Sequence, residues 1–141
     1  MMSDSSFNAP AAPRPVGPYP HARRAGNLLF LSGIGPRSPE DDSIPGTILD
    51  EAGTVVGCDF EAQCHAVFEN VRRVLATAGA TLENLVDVTV FLTDISSDFE
   101  AMNRIYAQYL HQNPPSRTTV EVRRLPTPIA IELKCIAVIN P

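Results

Sequence analysis

Hydrophobic positions recur along the chain with two periods, and the switches between them predict its elements. Leu28-Leu-Phe-Leu31, within Asn27–Gly33, is almost continuously apolar and predicts a first strand buried on both faces. Thr47 to Val56 carries short apolar pairs on either side of Ala52-Gly53, which predicts one or two short strands around a turn. The period then lengthens: Phe60, Cys64, Val67, Phe68, Val71, Leu75 and Ala78 form one helical stripe, with Asp59 placed to cap it and Gly79 to end it. Val86, Val88, Val90 and Leu92 alternate with Asp87, Thr89, Phe91 and Thr93, a strand from Leu85 to Thr93. Ser97-Asp-Phe-Glu100 has capping-box spacing and predicts the start of a second helix. That helix carries Phe99, Met102, Ile105, Tyr106, Tyr109 and Leu110 on one side and stops at Pro114-Pro115.

The closing stretch, Ser116 to Ile139, reads as two β-branched runs around Leu125-Pro-Thr-Pro128, which predicts a hairpin. In that register Glu121 faces Glu132, Arg117 faces Ile136, and Arg117, Thr119, Glu121 and Glu132 share one face of the sheet. Arg117 and Glu132 are then offset by four residues, roughly 13 Å at ~3.3 Å per residue. That is too far for both to hold one small group, so either the register is wrong or the shared site needs groups from another chain or loop. The order β, short β, α, β, α, β, β predicts an α+β domain with a single mixed sheet and both helices on one face. Nothing remains in the chain to cover the other face, which predicts an oligomer. The Ser/Asn/Ala/Pro-rich residues 1–16 are expected to form a flexible N-terminal arm, and residues 17–141 a single domain.

Composition narrows the function classes. A chain of 141 residues, 44% hydrophobic and 19% charged, predicts one globular domain. A net charge of −5 argues against non-specific nucleic-acid binding, which needs clustered Lys and Arg. Cys58, Cys64 and Cys135 are odd in number and lack CxxC spacing, as expected of reduced thiols. No apolar run reaches the ~20 residues of a membrane span, and no signal pattern opens the chain, so a cytoplasmic location is expected. His21, His65 and His111 show no metal-ligand spacing, so no metal is expected.

Several motifs, in order, resemble one family. Pro115-Ser-Arg-Thr-x-Val120, Leu125-Pro and Ile131-Glu-Leu133 look like the signature of the Rid/YjgF enamine/imine deaminases. Gly17-Pro-Tyr19, Leu31-Ser-Gly33, Glu69-Asn70, Ala78-Gly-Ala80, Thr89-Val-Phe-Leu-Thr-Asp94 and Ala101-Met-Asn103-x-x-Tyr106 extend the resemblance over about residues 15–139. It implies a chorismate-mutase-like (YjgF-like) domain that closes into a homotrimeric barrel, with active sites between subunits and a small carboxylate substrate. It implies that Arg117 binds the substrate α-carboxylate, that Glu132 positions the hydrolytic water, and that Tyr19, Ser32 and Asn103 line the cleft. Thr119 stands where many members have a cysteine, which leaves its hydroxyl or backbone amide to serve instead.

Those residue types suit imine hydrolysis. A guanidinium grips a carboxylate with a planar fork, and a partly desolvated carboxyl can manage protons near neutral pH. No cofactor is required, and no motif for a metal, flavin or pyridoxal phosphate is present. The long Gly35–Gly57 segment and Val120-Glu-Val-Arg-Arg-Leu-Pro-Thr-Pro-Ile129 resemble the 2-aminomuconate deaminase branch. Such a dianionic substrate would need a second cation, with Arg37 the first candidate and His21, Arg23 and Arg24 the others. A generalist deaminase of 2-aminoacrylate-type enamines, a non-catalytic ligand-binding protein and an RNA-cleaving enzyme are the alternatives. The net charge opposes the last.

Overall fold

A computed structural model describes residues 5–140. The strands are β1 (Ser5–Phe7), β2 (Ala22–Ala25), β3 (Leu28–Leu31), β4 (Thr47–Leu49), β5 (Val55–Cys58), β6 (Leu85–Leu92), β7 (Ser116–Glu121) and β8 (Ile131–Val138). The helices are α1 (Phe60–Thr77) and α2 (Ile95–Leu110). Six strands form one mixed sheet in the order β1-β2-β3-β8-β6-β7, and β4 and β5 form a separate ribbon.

Each strand's alternation shows which sheet face carries the helices. Leu29, Leu31, Val88, Val90, Leu92, Ile131, Leu133, Cys135 and Ala137 are buried with Val67, Phe68, Val71, Leu75, Met102 and Ile105 of the two helices. The opposite face holds Leu28, Phe30, Val86 and Val138, all exposed. This is the expected α+β architecture, with two helices on one face of a mixed sheet. The first strand, however, is not buried on both faces. It alternates, and its exposed residues belong to the uncovered side. It is also preceded by a strand that the polar sequence Ala-Arg-Arg-Ala concealed, joined through Gly26 at φ +61°.

α1 begins and ends where its sequence predicts. The Asp59 side chain accepts from the Ala62 N–H, and Gly79 takes φ +72° just past the C-terminus. α2 starts earlier than its capping-box spacing suggests. Asp94 is the cap, accepting from the Ser97 N–H at 3.2 Å, and Ser97 lies inside the first turn.

The closing hairpin is overturned. β7 pairs in parallel with β6, whereas β8 pairs antiparallel with the other edge of β6 and with β3. The physical reason is α2. A helix between two strands carries the chain back to the same end, so β7 must run parallel to β6. With one edge of β6 occupied by β7, β8 pairs at the other. Residues 122–130 cross the end of β6, with Val122 N–H donating to the Leu92 carbonyl and Thr93 N–H to that of Ala130.

The expected arm, residues 1–16, is described from Ser5 onward, and those residues are docked. β1 pairs with β2, and Ala9 and Ala12 are buried. The buried His21 ring holds this segment: its Nδ1 accepts from Ala9 N–H at 2.9 Å and its Nε2 meets the Pro13 carbonyl at 2.6 Å. The apolar Ala and Pro positions, weak as a sequence signal, cover an otherwise open corner of the core.

Candidate functional site

Glu132 is the second residue of β8, between the buried Ile131 and Leu133, so the strand's alternation turns it to the uncovered face. Its carboxyl reaches over Gly33. A Cβ on Gly33 would stand 2.9 Å from the Glu132 Cδ, so only glycine leaves room for it there. Burial raises its proton affinity above the usual carboxylate range, and no hydrogen-bonding partner competes for it among the described residues. It faces a cavity of about 50 Å³, bounded by Tyr19, His21, Ser32, Ile34, Arg37 and Ile129. One water needs about 10–15 Å³, so the cavity holds a few waters beside the carboxyl.

Three other expected site residues share this cavity. Ser32 Oγ donates to the Pro20 carbonyl at 2.7 Å, which secures the Gly17–Pro20 turn and leaves the oxygen's lone pairs free to accept. Tyr19 is partly exposed, and its N–H bonds the Gly17 carbonyl. Arg37 pairs with Asp42 at 2.9 Å, and its Nη2 donates to the Arg14 carbonyl. His21 makes a poor second cation, because its Nδ1 is taken up by the Ala9 N–H and its Nε2 by the Pro13 carbonyl, leaving neither ring nitrogen for a substrate. Arg24 lies on β2, between β1 and β3 and outside the cavity, with its Nε donating to the Gly26 carbonyl.

Arg117 is elsewhere. It pairs with Val88, and Glu132 pairs through Phe91 with Val120. Val120 lies three positions beyond Arg117, an odd offset, so Arg117 and Glu132 point to opposite faces of the sheet. At about 3.3 Å per residue and about 4.8 Å per strand their backbones are about 14 Å apart. The single face expected for Arg117, Thr119, Glu121 and Glu132 is therefore wrong, because that register assumed the hairpin.

α2 surrounds the Arg117 guanidinium. Its Cζ lies 4.8 Å from the Tyr106 ring centroid and 5.9 Å from that of Phe99, with Met102 Sδ at 3.9 Å from Nη1. No carboxylate pairs with it among the described residues. Two buried hydroxyls on these elements, Tyr106 Oη and Thr119 Oγ1, also lack partners. Burial pushes the Tyr106 phenol up to about 12, so it stays a neutral donor. Asn103 completes the Phe99, Met102, Tyr106 stripe on α2, half-buried and outside the Glu132 cavity. Phe99 and Tyr106 stand at helical spacing, and aromatics in that pattern read as core, so the sequence alone does not mark them as neighbours of Arg117.

The structure thus holds a half-buried carboxyl over a cavity on one sheet face and, on the other, a cation among aromatic rings with no carboxylate partner among the described residues. The endoribonuclease L-PSP family model matches residues 9–139, spanning both. This chain belongs to the L-PSP/YjgF/Rid family. A RutC family protein of Pyrococcus abyssi is 40% identical over 126 residues, covering 89% of this chain and 90% of that one. The chloroplastic Reactive Intermediate Deaminase A of Arabidopsis thaliana is 36% identical over 133 residues, covering 94% of this chain and 63% of its own length. The structure of Escherichia coli TdcF with bound serine superposes with a TM-score of 0.83 at 29% identity, covering 96% of this chain and 99% of that one. The Rid resemblance of the sequence is thereby established at family level. Among the described residues no helix is long and apolar enough to cross a membrane.

Proposed function

We propose that this Rid family chain is a hydrolytic deaminase of enamine/imine carboxylates, with 2-aminomuconate as its substrate. The observation that carries the reading is Glu132: a half-buried carboxyl of raised proton affinity, unpartnered, over a cavity with room for water. The deaminase relative in Arabidopsis supports the reaction class. Serine bound to TdcF supports a ligand that carries a carboxylate beside nitrogen.

2-Aminomuconate is a conjugated enamine. Protonation at carbon gives the imine, and Glu132 takes a proton from water as its oxygen bonds to C2. The resulting carbinolamine breaks its C–N bond as the proton passes from Glu132 to the departing nitrogen and the hydroxyl becomes the carbonyl, its proton returning to solvent in place of the one that solvent gave to carbon. The products are 2-oxohex-3-enedioate (4-oxalocrotonate) and ammonia, from one substrate and one water. Arg117 binds the α-carboxylate, held flat by the Tyr106 and Phe99 rings. Tyr19, Ser32 and Thr119 line the substrate path, and Asn103 orients the polar end.

Glu132 and Arg117 act on one substrate only if they come from neighbouring copies. We therefore place the complete site between subunits of a homotrimer, with the uncovered apolar sheet face as the contact. Arg37 takes the distal carboxylate by exchanging its bond to Asp42 for one to substrate.

The test follows ultraviolet absorbance of freshly generated 2-aminomuconate together with ammonia release. Rapid loss that disappears in Arg117→Ala and Glu132→Gln supports the reading. Arg37→Ala should raise KM for the dicarboxylate about tenfold or more while sparing 2-iminopropionate. Activity on 2-iminopropionate alone would make the protein a generalist, and silence on both would leave a binding protein.

A further inference from the structure

We infer that two buried amides of α1, Gln63 and Asn70, position the two backbone walls of the Glu132 cavity, a role that rests on the deaminase reading above. The two residues stand seven apart, two helical turns, and so lie on the same face of α1. They are 0% and 1% exposed, deep in the layer between helix and sheet where the neighbouring residues are aliphatic.

Their backbone partners lie outside both the helix and the sheet ladder. Asn70 gives its amide protons to the Gly35 carbonyl at 2.8 Å and the Arg37 carbonyl at 2.9 Å. Its Oδ1 accepts from Arg73 Nη1 at 2.7 Å, which fixes the amide's orientation. Gln63 Oε1 accepts from the Ala130 N–H at 2.8 Å. The Gln63 Nε2 finds no partner. Burying an amide with a free N–H is unfavourable, and a leucine would fill the space without that penalty. The oxygen is what the position requires.

The loop groups involved carry the site. Gly35 and Arg37 flank one wall, and Arg37 is the cation of that wall. Ala130 comes two residues before Glu132, at the point where the crossing segment enters β8. Neither loop pairs these backbone groups within a ladder, so α1 supplies the bonds that strands supply elsewhere. Gln63 thereby holds the base of Glu132, and Asn70 holds the base of Arg37.

This division predicts a split in kinetics. Gln63→Leu should lower kcat on 2-aminomuconate about tenfold with KM within about twofold, since Glu132 is displaced. Asn70→Leu should raise KM about tenfold with kcat within about twofold, since Arg37 is displaced. Gln63→Glu keeps an acceptor oxygen and should restore most of kcat. Amide hydrogen exchange supplies a readout that needs no turnover. In Gln63→Leu the Ala130 amide should exchange about tenfold faster while that of Cys135, farther along β8, is unchanged. Equal losses of kcat and substrate affinity in both leucine variants, with general loss of protection, would reduce the amides to ordinary core residues and overturn the proposal. So would unchanged Ala130 exchange in Gln63→Leu. If the wild-type protein turns over no enamine, the deaminase reading fails, and the exchange measurements alone decide whether the amides hold the two walls.

Discussion

At the scale of single residues, the Glu132 carboxyl, to which the proposed reaction assigns the proton transfers, also ties stability to pH. Its carboxyl binds protons more readily folded than unfolded, so the folded state favours the neutral form. That contribution is fully present below the ordinary carboxyl value of 4.5 and is lost as pH rises through the raised folded value. Glu132→Gln removes the loss. Its melting temperature should exceed that of the wild type by a few degrees at about pH 7–8, with the curves converging below about pH 4. Deaminase activity in the same variant should fall by about 10²–10⁴-fold, the usual worth of a general acid–base group. Gly33 offers a second probe. A methyl there would press on the end of a flexible side chain, which can swing away, so Gly33→Ala should melt within a few degrees of wild type. Activity should nonetheless fall about tenfold or more, because the displaced group is the Glu132 carboxyl.

At the scale of elements, start signals compete. Ser97-Asp-Phe-Glu100 has capping-box spacing, yet Asp94 takes the cap three residues earlier. Asp94 ends the β6 run, and its carboxylate reaches the Ser97 N–H as soon as the chain turns. Asp94→Ala should destabilise the protein by ~1 kcal/mol in chemical denaturation, while Ser97→Ala should be close to neutral. The helices themselves were legible because their stripes are long and regular. β2 was not, because Ala-Arg-Arg-Ala has no apolar alternation and forms a strand only when β3 and β1 offer edges on either side. The partners of the Gln63 and Asn70 amides were invisible for a related reason, even though Asn70 stands in one of the family-like motifs: a polar residue in a helix declares its partner only after distant loops arrive.

At the scale of the whole molecule, Arg117 and Glu132 lie on opposite faces of one sheet, and under the proposed intersubunit arrangement their separation yields a prediction that neither residue makes alone. Arg117→Ala and Glu132→Gln should each be nearly inactive. Co-expressed in equal amounts, they should recover about a quarter of wild-type activity, because a shared interface in a mixed ring pairs an intact Arg117 with an intact Glu132 about one time in four. No recovery in mixed oligomers would place both residues in one chain's site and overturn the intersubunit arrangement. The exposed Leu28, Phe30, Val86 and Val138 lie on the face that such an assembly would cover.

The sequence by itself determined the local structure: two amphipathic helices with the first one's cap and stop, the alternating β6, and a mixed sheet with one face left bare. It also pointed to Arg117 and Glu132, since a strand-borne arginine and a lone carboxylate in an apolar run stand out from their neighbours. Tertiary structure alone decided how these pieces meet. β7 and β8 are adjacent in sequence and both β-branched, which suits a hairpin, but the α2 crossover sets β7 parallel to β6 and leaves β8 the other edge. Pairing between strands depends on which edges remain open, a property of the assembled sheet that no local run encodes. From that pairing follow the parity that puts Arg117 and Glu132 on opposite faces and the packing of α2 aromatics against the guanidinium; the docking of residues 5–16 through His21 is a separate tertiary outcome, made by contacts with Ala9 and Pro13 twelve and eight residues away.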